Sequence, residues 1–231
     1  MKALIAVVTC APHVLHRNVI RETWMPLVKG ADVKFFFGHT ATQGDEVQVD
    51  CDDSYEGLPS KVRSIVRWSL DNGYDYMFKC DDDVVLKPEK VLHSTSADFI
   101  GHKNDSRQYP IPFGFLYGMS KRAMQLVAEE PLPSNNNDEA WVTAVLGRAG
   151  IKLQHDPRYV MYTGQRDEFI PNKPKVLRAP PRARFTPVDT VRLDAAHAYC
   201  MFFNWTGHRN TSDERVAAEM RKVFNEYVAC R

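Results

Sequence analysis

The chain has 231 residues, 44% of them hydrophobic and 26% charged, with a formal net charge of +1. That length suits one large domain with ample core, and the near-zero charge gives no reason to expect nucleic acid or a membrane surface as the main partner. No run approaches the roughly 20 apolar residues of a membrane span, and five widely spaced cysteines make neither a disulfide framework nor a zinc site.

Residues 3–9 read as a first strand, followed by a turn at Ala11-Pro12. The apolar run is short for a signal peptide, and Arg17 and Arg21 stand where a cleavage site should lie, so a core strand and a reducing, cytoplasmic setting are expected. From Val14 to Trp24 the pairs Leu15/Val19 and Ile20/Trp24 recur at helical spacing. Val33 to Phe37 is a second strand, stopped by Gly38, and Glu46 to Cys51 a short third. A helix follows with Leu58, Val62, Ile65, Val66 and Leu70 on one face, ended by Asp71-Asn72-Gly73. With the strand after it, this order is β-α-β-β-α-β. It predicts an α/β, Rossmann-like fold: a single domain over 1–231 with a mostly parallel central sheet flanked by helices.

That next strand carries the chemistry. Tyr76-Met77-Phe78 leads through Lys79-Cys80 into Asp81-Asp82-Asp83, then into Val84-Val85-Leu86. Side chains alternate along extended chain, so Asp81 and Asp83 share one face and Asp82 takes the other. Three adjacent carboxylates repel, and Lys79 is the one basic neighbour in sequence. A hard divalent cation, manganese or magnesium, relieves such a cluster; a solvated acidic turn is the plain alternative. The hydrophobic flanks put the acids at the end of a core strand, where open α/β sheets bind ligands.

Beyond Leu86, Pro88 opens another helix. Tyr109 to Ser120 is aromatic and rich in glycine and proline, with Ser120 placed to cap a helix. Pro131 to Asn137 is a loop, and Asp138 to Arg148 a short helix with Trp141, Ala144 and Val145 inward. Ile151-Lys152-Leu153 alternates like a strand. Residues 171–187 hold five prolines among Lys173, Lys175, Arg178, Arg182 and Arg184, and read as a surface excursion or as a flap over an anionic ligand. A strand-like run at Tyr199 to Phe203 and a final helix, opened by Thr211-Ser212-Asp213-Glu214, close the chain.

Three pieces in register carry a resemblance: Arg17-x-x-Ile20-Arg21-x-Thr23-Trp24; Asp53-x-Tyr55-x-x-Leu58-x-x-Lys61 with Trp68; and Lys79-Cys80-Asp81-Asp82-Asp83-Val84. Together they resemble the β1,3-galactosyltransferase and β1,3-N-acetylglucosaminyltransferase family, best over residues 3–90. In compactness the chain is similar to the short, membrane-free transferases of large DNA viruses or microbes. The resemblance implies a GT-A fold and an inverting, Mn²⁺-dependent enzyme that moves a sugar from a UDP-sugar donor to a glycan acceptor. Residues 1–90 would then bind the nucleotide sugar and 91–231 the acceptor. It further implies Asp81 and Asp83 as the DxD metal pair, Asp83 the more direct ligand, with Asp81, Asp82, Thr9, Arg17, Asp53 and Lys61 on the nucleotide sugar. The family's Glu-Asp-Val helix start corresponds here to Asp138-Glu139-Ala140. Position makes Glu139 the base, but the exchanged acids leave Asp138 open. For a third metal ligand the resemblance favours His208, with His197 the other candidate.

Two rivals come from other classes. Asp81-x-Asp83-x-Val85 after an apolar strand also fits the nucleophile motif of haloacid-dehalogenase-like phosphatases, although that motif ends the first strand of its domain. A non-catalytic nucleotide-sugar or glycan-binding module would keep the fold and lose turnover. Acceptor-dependent release of UDP separates the transferase from both.

Overall fold

The computed structural model describes residues 1–104, 110–156, 198–201 and 213–225, of which 198–201 only as backbone. The basic loop at 171–187, His197 and His208 lie outside the described residues.

Strand β1 (Ala3–Val8) is the hub. All six of its residues are buried, the mark of a strand covered on both faces. It pairs in parallel with β2 (Ala31–Phe37) and with β4 (Tyr76–Asp81), and β2 pairs in parallel with β3 (Glu46–Gln48). On the other side β4 meets β7 (Ile111–Ser120) antiparallel, β7 pairs antiparallel with β6 (Phe99–Asn104), and β6 ends the sheet against β8 (Gln154–His155). The seven-stranded order is therefore β3-β2-β1-β4-β7-β6-β8, mostly parallel as expected. A separate ribbon pairs β5 (Val84–Leu86) with β9 (Ala198–Met201).

The period-2 alternation of β1 sorts the core into two layers. Ile5 and Val7 join Phe35, Phe37 and Phe78 under α1 (Val14–Glu22) and the last helix, α6 (Asp213–Val223). Leu4, Ala6 and Val8 join Phe36, Met77 and Tyr117 under α2 (Leu58–Asp71), α4 (Lys121–Glu129) and α5 (Asp138–Arg148). Each such fully buried Leu or Phe side chain contributes about 1.5–3 kcal/mol by leaving water. Trp24 is fully buried and its indole N–H donates to the Val84 carbonyl at 2.9 Å, tying α1 to the strand beyond the acids. Trp68 is partly buried, edge-on to Phe36 and stacked on Tyr74.

Local signals act where the sequence put them. Gly73 takes φ +73° just past α2, a left-handed stop that favours glycine. Ser120 Oγ caps α4 by accepting from the Ala123 amide, and Asn137 caps α5 by accepting from Ala140 at 2.7 Å. Pro88 opens α3 (Pro88–Val91).

Two local expectations are corrected. Ala144 is exposed, and Val142 and Leu146 fill the inner face of α5 beside Trp141 and Val145. The strand expected at Ile151–Leu153 forms directly after it, because Ile151 and Leu153 pack into the core beneath the helices and leave Gln154 and His155 to pair with β6. The aromatic, glycine- and proline-rich run, of which Tyr109 lies outside the described residues, holds the long antiparallel strand β7 over Ile111–Ser120. Its glycines are sites of close approach: a Cβ at Gly118 would press on the rings of Tyr76 and Phe78. No described helix is long and apolar enough to cross a membrane.

Candidate functional site

In this strand order the crossover from β1 goes one way to β2, while β4 lies on the other side of β1. The carboxyl ends of β1 and β4 thus flank a topological switch point, where α/β sheets open a crevice. A cleft of about 310 Å³ lies there, lined by Val8, Thr9, Cys10 and His13 after β1, by Asp53, Ser54, Tyr55, Leu58 and Lys61 before and within α2, and by Asp81, Asp82 and Asp83. Of the expected nucleotide-sugar residues, Thr9, Asp53, Lys61, Asp81 and Asp82 meet in this cleft. Arg17 does not line it. Its guanidinium is buried behind the β1–α1 loop, donating to the Cys10 carbonyl at 2.6 Å and the Ala11 carbonyl at 3.3 Å.

On the α2 side, Lys61 is only 2% exposed. Its ammonium sits 2.6 Å from Asp53 Oδ1 and donates to the Thr9 carbonyl at 2.8 Å. Asp53 Oδ1 also accepts from the Gly38 amide, while its Oδ2 is buried with no hydrogen-bond partner among the described residues.

The three acids of the turn part company. Asp82 is buried and accepts from Thr9 Oγ1 at 2.5 Å; His13 Nδ1 and His16 Nδ1 stand 2.9 and 3.2 Å from its two oxygens. Burial pushes its pKa up, but the two imidazole bonds outweigh that and hold it below the ordinary carboxylate range. In return His13 is pushed up to about 11 by its bond to Asp82 and a second to Cys10. Asp81 and Asp83 behave oppositely. Burial raises the pKa of Asp81, with Lys79 opposing. Burial and then the charges of Asp81 and Asp82 raise that of Asp83 well above normal.

Lys79 joins this group to a second pair of acids. Its ammonium is paired with Asp81 and donates to the Gly114 carbonyl in β7 at 2.6 Å. Burial opposes its charge, and Asp81, Asp138 and Glu139 restore it and raise its pKa. At the start of α5, Asp138 is 2% exposed and accepts from the Tyr117 hydroxyl at 3.0 Å. Glu139 lies against Gly114 so closely that a Cβ there would overlap its carboxylate. Burial, then the neighbouring Asp138, lifts the Glu139 pKa to about 7. Tyr55, 62% exposed on the opposite lip, feels the same charges of Glu139, Asp138 and Asp81.

Sequence reasoning missed His13 and His16. Their spacing of three in the first turn after β1 was visible, but their partner lies 69 and 66 residues away. The hint was topological: the loop after β1 and the end of β4 share one sheet edge.

Residues 15–114 match the Galactosyltransferase family. The matched span covers α1, Lys61, the acidic turn and β7 as far as Gly114, and stops before Glu139. No curated protein matches the chain. Among solved structures, CMP:2-keto-3-deoxy-manno-octonic acid synthetase complexed with CTP is similar over 67% of this chain and 89% of its own, at 12% identity and a TM-score of 0.44. The apo form of the glycosyltransferase GlyE from Streptococcus pneumoniae TIGR4 is similar over 68% of this chain, at 6% identity and a TM-score of 0.44; this chain spans 46% of its length. Over residues 15–114, a little under half of its length, this chain is thus similar to the Galactosyltransferase family.

Proposed function

We propose that the cleft transfers a sugar from a UDP-sugar to a glycan hydroxyl with inversion, aided by Mn²⁺ or Mg²⁺. The observation that carries this reading is the position of Lys79 between two sets of raised-pKa acids: it pairs with Asp81, next to Asp83, and donates to Gly114, against which Glu139 lies. Carboxylates pushed up by burial and by neighbouring negative charge fit a hard divalent cation, and Asp81 and Asp83 would hold it. When bound, such a cation neutralises charge growing on a departing diphosphate.

The chain's own groups supply the rest. Lys61 and Thr9 line the cleft beside Asp53, whose Oδ2 has His39 Nε2 at 3.7 Å but accepts no hydrogen bond among the described residues and suits a donor such as a ribose hydroxyl or the uracil N–H. Glu139, with a pKa of about 7, is suited to take the acceptor's proton near neutral pH. Asp138 is engaged by Tyr117 and supports Glu139 by charge rather than acting as the base. Exposed Tyr55 is placed to contact a sugar at the lip. Asp82, held by Thr9, His13 and His16, is scaffold in this reading.

A thermal-shift panel of UDP-, GDP- and dTDP-sugars with and without Mn²⁺ tests it, because binding stabilises by mass action. UDP-sugars should raise Tm only with the metal present. A response to no nucleotide sugar, or phosphatase turnover in its place, would overturn the reading.

A further inference from the structure

The transferase reading has no use for His13 and His16 beyond holding Asp82. Both rings turn the same atom, Nδ1, toward that one carboxylate, one ring to each oxygen, at 2.9 and 3.2 Å. One donor atom from each of the three residues lies within 4.8 Å of the others. Tetrahedral zinc with bonds of about 2.0–2.1 Å holds its ligand atoms about 3.3 Å apart, so the imidazole-to-carboxylate spacings already approach those of a coordination shell.

A second observation concerns the far side of His16. The residue is 5% exposed, and its Nε2 is buried without a hydrogen-bond partner among the described residues. Asp213 Oδ1, at the start of α6, stands 3.7 Å from that nitrogen. A cation on Nδ1 would move the proton to Nε2, where it faces Asp213. Metal-bound histidines generally present their other N–H to a carboxylate in this way.

We infer that His13, His16 and Asp82 form a site for an imidazole-preferring divalent cation, zinc above all, distinct from the hard-cation pair Asp81 and Asp83. Two imidazoles and one carboxylate select zinc over magnesium or calcium. His13, 36% exposed in its side chain and lining the cleft, gives the ion a way in, and water completes the shell. Bound there, the ion joins the start of α1 to the acidic turn and, through His16, to the start of α6. Protons displaced from Nδ1 pass to His16 Nε2 or to solvent. The inference does not depend on the transferase reading.

The test is a titration of the metal-stripped full chain with Co²⁺, read by the visible absorption of tetrahedral cobalt and followed by Zn²⁺ displacement. The tetrahedral bands should saturate at one equivalent. His13→Gln, at a half-exposed position and checked for native circular dichroism, should weaken binding at least tenfold. Asp213→Asn should weaken it by about tenfold, the usual scale for a carboxylate behind a metal-bound histidine. Asp83→Asn should leave it intact. Absence of the tetrahedral bands in the wild type, or cobalt binding by His13→Gln equal to wild type, would overturn the inference. So would loss of binding in Asp83→Asn alone, which would assign the ion to the hard-cation pair.

Discussion

Asp82 and Asp83 are neighbours in one turn, yet the structure treats them in opposite ways. On the α1 side, Asp82 is surrounded by Thr9, His13 and His16, and its charge is satisfied. On the β7–α5 side, Lys79 pairs with Asp81 alone, and the pKa values of Asp81, Asp83 and Glu139 are raised. A satisfied buried carboxylate stabilises the fold, whereas an undercompensated one costs stability and is kept where a ligand or a proton transfer requires it. The same acidic run thus supplies scaffold on one side and proposed chemistry on the other.

The sharpest way to break that contrast is on the undercompensated side. Asp83→Asn should abolish the Mn²⁺-dependent rise in Tm with a UDP-sugar while the protein stays folded; an unchanged rise would remove Asp83 from the metal pair. Next comes Gly114→Ala, whose Cβ would overlap the Glu139 carboxylate. It should lower transfer by about tenfold or more through a displaced base, with nucleotide binding kept, and an unaffected rate would show that Glu139 needs no such placement.

A smaller effect carries a definite sign. The Glu139 pKa is raised from 4.5 to about 7, so the folded state holds a proton there that the unfolded chain has already lost. The associated stability is fully present below about pH 4.5 and is lost as pH rises through 7. Glu139→Gln should therefore raise Tm by a few degrees at pH 8 and by almost nothing at pH 4, measured by differential scanning fluorimetry. A fall in Tm at pH 8 would mean that Lys79 more than compensates the charge. Smallest is the scaffold control: Thr9→Val removes one buried bond to Asp82 and should cost about 1–3 kcal/mol in urea unfolding. No loss would make that bond incidental.

Much of this was legible beforehand, for reasons that differ between elements. The parallel half of the sheet was visible because its strands are unbroken apolar runs separated by amphipathic helices. The antiparallel half was not: β6 gave no clear signal, and Pro112, Gly114 and Gly118 kept β7 from reading as a strand. Those glycines are there for tight packing against Glu139 and against Tyr76 and Phe78, which single-residue propensity cannot reveal. At the site, alternation predicted that Asp81 and Asp82 would face opposite ways, and they take separate partners. The partners themselves are non-local. Lys79 reaches Gly114, His13 reaches Asp82, and Tyr117 occupies Asp138, so the choice between Asp138 and Glu139 could be weighed only with the fold in hand.

The central claim is that the undercompensated side of the cleft performs the transfer, with Glu139 as its base. The most direct measurement is acceptor-dependent UDP release as a function of pH for wild type and Glu139→Gln, using whichever UDP-sugar stabilises the protein with Mn²⁺. The account predicts a wild-type rate that rises with pH through about 7, and a loss of roughly 10²-fold or more in Glu139→Gln, the scale of a missing general base, with UDP–Mn²⁺ affinity nearly intact. A variant that matches the wild type, or a product that keeps the donor's anomeric configuration, would contradict it.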